Sequence, residues 1–424
     1  MTSTTGSIPF RDNAAQASHD ATLRAARHNA MDEFTRMNQF AASATRAGAI
    51  VHRARDGAAA REIVGSILKD RGVSKVVKAK SMISEEIGLN TYLEEQQVEV
   101  VETDLGEYIV QLAGERPSHI LAPAIHKSRQ QIGKLFAEKL DSPYYDDPRI
   151  LTSIARKALR EKFLSAEAGI TGANFAAADT GSLAIFTNEG NGRMVTTLPP
   201  LHIAVLSIEK VIPSLGDLAT FIRLLPRSAT GQVLSAYLSV VTGTRKEGEA
   251  TGARELHIVL LDNGRWEILD GDYWEILKCI RCSACINACP VYRTVGGHAY
   301  NTTYSGPMGI VLSALLDGME RSHPLLDATT LCGACDEVCP VKVPLTKLFY
   351  ALRERKVEEG FASSLERKGM EAFGVAAKFP PLFYTGQSLA RRFWSMVGKI
   401  GSGVVGERLP RPAEKTFRKR MSGK

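Results

Sequence analysis

The chain has 424 residues, and all seven of its cysteines lie between Cys279 and Cys339. Four of them read Cys279-x2-Cys282-x2-Cys285-x3-Cys289-Pro290, and a shortened copy follows as Cys332-x2-Cys335-x3-Cys339-Pro340. The first run has the bacterial-ferredoxin spacing for an iron–sulfur cluster. Three thiolates at two-residue intervals wrap one face of a cubane, and the fourth, sent away by the following proline, reaches a different cluster. A disulfide framework belongs to small secreted chains, whereas this chain is long and has no cysteine elsewhere. A structural zinc site usually takes two cysteine pairs, with no third cysteine inside the first pair's turn. The spacing therefore points to electron-handling chemistry.

Counting the full pattern back from Cys339 gives Cys335, Cys332 and then Thr329 where a fourth cysteine would stand. If each run lends its last cysteine to the other cluster, the first cluster takes Cys279, Cys282, Cys285 and Cys339, a complete 4Fe-4S ligand set. The second takes Cys289, Cys332 and Cys335 and is one thiolate short. It is then either a 3Fe-4S cluster or a 4Fe-4S cluster with a water, hydroxyl or partner-derived fourth ligand. The open corner is either functional or merely labile, and spacing leaves both readings open.

These thiols must be positioned by a large protein. Length suggests two or three domains, and 44% hydrophobic residues suffice for ordinary cores. No apolar run is long enough to span a bilayer. The stretch from Met1 to Asn29 is polar and lacks an apolar signal-peptide core, so with reduced thiols a cytoplasmic location is expected. The net charge of +7 and pI near 9.0 are compatible with nucleic acid or an anionic membrane. The excess, however, gathers at Arg408, Arg411, Lys415, Arg418, Lys419, Arg420 and Lys424, a property of the tail rather than of a binding groove, and no nucleic-acid partner is expected.

Four regions follow: a helical N-terminal arm (1–46), an α/β domain (47–270), an iron–sulfur module (271–350) and a C-terminal region, helical and then loose and basic (351–424). Strands are expected at Lys75–Lys78, Val98–Val101, His119–Ala122, Leu183–Thr187, His202–Ile208 and Leu256–Leu261. Helices are expected at 57–70, 84–96, 127–139 and 149–166, with Ser84 as an N-cap ahead of Glu85 and Glu86. Between the cysteine runs, Ser305-Gly306-Pro307 opens an apolar helix. A helix in that place suggests the α-helical ferredoxin type rather than the compact β-hairpin one.

Three glycine-containing polar stretches, Gly169–Asn174, Asp179–Ser182 and Thr187–Arg193, could bring backbone N–H groups together with Thr180, Ser182, Asn188 and Arg193 around one anion. Equally, they read as hairpin turns whose glycines supply positive φ. Walker-A and G-x-G-x-x-G spacings are absent, so a nucleotide site has little support. His119 and His126 suit capping or packing more than substrate contact, and His202 suits a core strand. Glu102, Asp104 and Glu107 form an acidic cluster, read either as bases or ligands or as surface partners of Lys78 and Lys80.

Several longer strings resemble the lactate utilisation protein B family. They include Lys80–Glu86 with Leu89-Asn90, Val100–Ile109, Pro117–Ile120, Ala122–Lys127, Gly169–Arg193, Leu331–Cys335 and Pro340–Pro344, within roughly residues 47–350. The resemblance implies a LUD domain, similar to NagB/RpiA/CoA-transferase-like α/β folds, fused to a dicluster ferredoxin-type module. It also implies a role as the electron-transfer component in oxidation of L-lactate to pyruvate, with two partner subunits, one cysteine-rich and one LUD-only. Three cysteines in the second run look like a family trait. Glu189 is a candidate for the catalytic glutamate of CoA-transferase-like folds by this likeness alone. The family more often has a hydroxyl side chain where this chain has Ala79, and the region beyond about 360 is only weakly similar.

Three function classes follow, led by the electron-transfer subunit. The alternative is a LUD-domain enzyme acting on a small carboxylate or acyl substrate with regulatory clusters; a nucleic-acid binder comes last. The basic amphipathic stretch 390–400 is expected to dock on protein, or otherwise to rest on an anionic membrane as a peripheral contact.

Overall fold

A computed structural model describes residues 30–394 and 420–421 of the chain. Its ten described strands are β1 (Ile50–Ala54), β2 (Lys75–Lys78), β3 (Glu99–Glu102), β4 (Ala168–Thr171), β5 (Phe175–Ala177), β6 (Ser182–Thr187), β7 (Leu201–Ser207), β8 (Val211–Ile212), β9 (Tyr237–Val241) and β10 (Glu255–Leu261). Six of them form a parallel sheet in the order β1-β10-β7-β4-β2-β3, and the other four a smaller mixed sheet ordered β8-β5-β6-β9.

The parallel sheet is covered on both faces, which is why its central strands are nearly continuous apolar runs rather than alternating ones. Along β7, Ile203 and Val205 enter one core with the helix Gly57–Asp70, while Ala204 and Leu206 enter the other with the helix Ala30–Arg46. β10 repeats the alternation, with Val259 and Leu261 on the first side and Ile258 and Leu260 on the second. The helix from Ala30, read in the sequence as an arm, thus buries Met37, Phe40 and Ala44 in the α/β core.

The helices expected at 57–70, 127–139 and 149–166 are present as Gly57–Asp70, Arg129–Lys139 and Pro148–Ser165, each with a side-chain N-cap from Asp56, Ser128 or Asp147. Two local expectations are corrected. Residues 84–96 form two helices, Met82–Glu86 and Leu89–Glu95, because Gly88 turns left-handed at φ 61°. Ser84 consequently lies inside the first helix and donates its hydroxyl to the Ser81 carbonyl instead of capping. The segment His119–Ala122 is not a strand. His119 Nδ1 accepts from the Leu121 and Ala122 amides, both at 3.0 Å, and so takes up donors that a ladder would use.

Gly169, read as part of a polar turn, sits in β4. A Cβ there would come within 2.1 Å of the Val195 carbonyl oxygen, so only glycine lets the helix Asn191–Thr197 press against the sheet.

After β10 the described chain has no strand. The short helix Ala284–Ala288 packs against the helix Gly306–Leu316, whose residues from Gly306 to Ala314 are all buried, and the short helices Pro290–Val295 and Ala334–Glu337 pack against Ala284–Ala288 in turn. The helix Gly306–Leu316 carries its proline in the first turn as expected, but the Ser305 side chain makes no capping bond. The chain divides into two compact units after Arg353. In the second, the helices Ser364–Lys378 and Pro380–Arg392 meet through an edge-on contact of Phe373 with Phe383. The stretch 390–400 falls mostly outside the described residues.

Candidate functional site

Cys279, Cys282, Cys285 and Cys339 line one small apolar cavity closed by Ile276, Met308, Val341, Val343 and Leu345. Three of these cysteines come from the first run and one from the second, brought together by the buried helix between them. Left-handed residues flank Cys282 on both sides, Arg281 at φ 61° and Ser283 at φ 64°. They curl the chain so that the Arg281 N–H donates to Cys279 Sγ at 3.5 Å; in the second run Lys342, left-handed at φ 50°, precedes Val343, whose N–H donates to Cys339 Sγ at 3.3 Å. Burial pushes the Cys282 thiol up to about 12 and the Cys285 and Cys339 thiols above their usual range, so a bound cationic group must displace protons. Among the described residues, no three His, Cys, Asp or Glu side chains gather as the shell of a single ion. The four thiols instead stand around a cavity.

The remaining cysteines form a second group. Cys289 and Cys335 are buried, and Cys332 is exposed. Burial, then the neighbouring Asp336, pushes the Cys335 thiol up to about 11, and Cys289 adds to the rise. The Ala334 N–H lowers the thiol of Cys332.

A buried ionic network ties the α/β domain to the first cysteine run. Arg265 grips Glu86 with two hydrogen bonds of 2.9 and 2.7 Å, and Tyr304 donates to the same carboxylate at 2.6 Å. Arg265 Nε lies 2.8 Å from Glu209, poorly aligned for a hydrogen bond, and Arg281 reaches Glu209 at 3.4 Å. Burial opposes ionisation of Glu209, but Arg265, Lys210 and Arg281 outweigh it and hold its carboxyl down at about 2. Lys210 donates to the Cys279 carbonyl at 3.1 Å.

On the other side of Arg281 opens a cavity of about 420 Å3 at the carboxyl ends of β2, β4 and β7. From β2 the chain crosses to β3, whereas from β4 it crosses the opposite way to β7. Ligands of open parallel sheets bind where connections diverge in this manner. Lys80, Asp104, Glu189, Glu209, Lys210 and Arg281 supply its charges, and Asn188 and Asn191 are among its polar walls. Burial, then the neighbouring Asp104, raises the Glu189 carboxyl to about 6. Burial pushes the Lys210 ammonium down to about 8. Lys80 Nζ lies 3.4 Å from Glu107 but makes no hydrogen bond, and burial lifts Glu107 to about 7.

Sequence comparison decides the family. The LUD domain family matches residues 37–261, and the 4Fe-4S dicluster domain family matches residues 275–343. Lactate utilization protein B of Bacillus subtilis strain 168 is 47% identical over 356 residues, covering 84% of this chain and 74% of its own. The Bacillus velezensis protein of that name is 46% identical over the same length, covering 84% and 75%. This chain belongs to the lactate utilization protein B family. Family membership thus places a LUD domain of mixed α/β structure ahead of a 4Fe-4S dicluster module. A crystal structure of a DUF162 family protein from Deinococcus radiodurans aligns with 54% of this chain and 98% of its own at 15% identity and a TM-score of 0.30.

In this family member the residues read from the sequence separate. Asn188 and Glu189 line the cavity, but Ser182 lies at the far end of β6, bonded to Thr180 and Thr242, and Arg193 is exposed on a helix. One convergent anion site of Thr180, Ser182, Asn188 and Arg193 is therefore absent. Lys78 is not a surface charge. It is wholly buried and bonded to Glu102 at 2.5 Å and Glu85 at 3.1 Å. His202 is buried, 2.8 Å from Thr171 Oγ1, and burial holds it down at about 4, as suits a neutral core histidine. His119 docks on Asn287, and His126 bonds Ser118 and Glu115 beside His298. These histidines fasten the segment 115–127 to the dicluster module. Sequence reading missed Glu86, Glu209, Lys210, Arg265, Arg281 and Tyr304. The one local signal was an arginine inside the first cysteine run.

Proposed function

We propose that this chain is the iron–sulfur electron-transfer component of a cytoplasmic system oxidising L-lactate to pyruvate. Its partners in this reading are two further subunits, one cysteine-rich and one LUD-only. The observation that carries it is the single cavity shared by Cys279, Cys282, Cys285 and Cys339, which joins the two runs in the crossed pattern of two-cluster ferredoxins. In this reading those four hold the first 4Fe-4S cluster, and Cys289, Cys332 and Cys335 hold the second. Bound clusters supply one-electron transfer at potentials that nearby charge and hydrogen bonds to sulfur tune. The surrounding residues suit such tuning, with amides on Cys279 and Cys339 and cations at Lys210 and Arg281. In this reading an external redox partner approaches beside the exposed Cys332. No described helix is long and apolar enough to cross a membrane.

The test is cysteine replacement read by EPR in the anaerobically purified chain. Cys279→Ala and Cys339→Ala are expected to remove the same signal, and Cys289→Ala and Cys335→Ala the other. Loss of one signal by Cys339→Ala and Cys335→Ala together would overturn the crossed assignment.

The large cavity favours a second reading, in which the LUD domain binds a small carboxylate between Lys80, Lys210 and Arg281. A parallel sheet with its cavity at the strand ends also suits the NagB/RpiA/CoA-transferase-like classification. Turnover of a carboxylate or acyl substrate by the isolated chain without an electron acceptor would favour this enzyme reading over the relay.

A further inference from the structure

The second cysteine run repeats the backbone of the first, and the repeat extends to the position that lacks a cysteine. Arg281 and Ser283 are left-handed around Cys282, and Leu331 and Gly333 are left-handed around Cys332, at φ 53° and 79°. Cys285 and Cys335 each sit second in the short helix that follows. In the first run the Arg281 amide donates to Cys279 Sγ; in the second, the Leu331 amide donates to Thr329 Oγ1 at 3.2 Å. An amide two residues on thus reaches the γ atom in both runs, so the Thr329 hydroxyl has the direction that the Cys279 sulfur has. Arg353 fixes the loop by donating to the carbonyls of Leu326 at 2.9 Å and Thr329 at 3.3 Å.

We propose that Thr329 Oγ1 is the fourth-corner oxygen ligand of the second cluster, completing the set Cys289, Cys332 and Cys335. This rests on the two-cluster reading above. A hydroxyl is a weaker donor than a thiolate to a soft, sulfur-rich site, so this corner exchanges. The corner is also accessible, because Thr330 and Cys332 beside it are exposed. Its chemistry is that of an iron able to take a small oxygen-donor molecule in place of the hydroxyl.

The test compares the anaerobically purified full chain with its Thr329→Cys, Thr329→Ser and Thr329→Val variants, counting iron and recording EPR before and after ferricyanide. The wild type is expected to fall from about eight irons to about seven and to gain a three-iron signal. Thr329→Cys should keep its iron through the same treatment, Thr329→Ser should behave as wild type, and Thr329→Val should lose the iron at least several-fold faster. An unchanged rate of iron loss in both Thr329→Cys and Thr329→Val would overturn the assignment while leaving two clusters in place. About four irons in every form would instead remove the two-cluster reading on which it rests.

Discussion

Lys210 Nζ donates to the carbonyl oxygen of Cys279, so a cation in the wall of the LUD cavity is bonded to the first residue of the first cysteine run. The next charged side chain, Arg281, is shared in the same way: its amide faces Cys279 Sγ and its guanidinium faces Glu209. Two domains that the sequence presents as consecutive therefore share one electrostatic environment.

A nearby cation stabilises the added electron of a reduced cluster, so Lys210→Met should lower the potential of the first cluster. The expected shift is on the order of 1 kcal/mol, or about 40 mV for one electron. Thr329→Val should leave that potential unmoved. Spectroelectrochemical titration of the two EPR signals reads both.

Removing one partner of a buried charge network leaves the others unpaired and costs about 3 to 5 kcal/mol. Glu209→Gln should therefore destabilise the chain by that order, measured by anaerobic urea unfolding. The pH dependence has a definite sign. The Glu209 carboxyl is depressed to about 2 from its ordinary value of 4.5, so its contribution is full above about 4.5 and is lost as pH falls towards 2. The stability gap between wild type and Glu209→Gln should narrow across that window.

Lys78 gives a parallel case inside the sheet. Lys78→Met strands Glu102, itself 3% exposed, and should cost about 3 to 5 kcal/mol. Adding Glu102→Gln should recover part of the loss in a double-mutant cycle, because the unpaired carboxylate is then gone.

Ligand binding in the cavity should depend on pH through two groups. Glu189, raised to about 6, loses its negative charge as pH falls through that value, so an anion should bind more tightly at pH 5.5 than at pH 7. Lys210, lowered to about 8, loses its positive charge above that pH, so binding should weaken there. Isothermal titration with pyruvate as the probe checks both limbs, and Glu189→Gln should flatten the acidic one.

What the sequence made legible follows the range of the physics involved. The two cysteine runs were readable because ligand spacing is local, and so was the Thr329 gap. The central strands β7 and β10 were readable because both faces are buried and most of their residues are apolar. Gly169 misled because its glycine answers to Val195 across the core, and His119 because its ring replaces a strand's hydrogen bonds. The network of Glu86, Glu209, Arg265, Arg281 and Tyr304 was invisible: its members span more than two hundred positions and meet only after folding.

Whether the chain carries two iron–sulfur clusters is settled by anaerobic purification of the full chain, with iron and sulfide counting and EPR before and after dithionite. About seven to eight irons with matching sulfide, and signals from two centres, are expected. Bound zinc without iron after careful anaerobic work would contradict the electron-transfer reading.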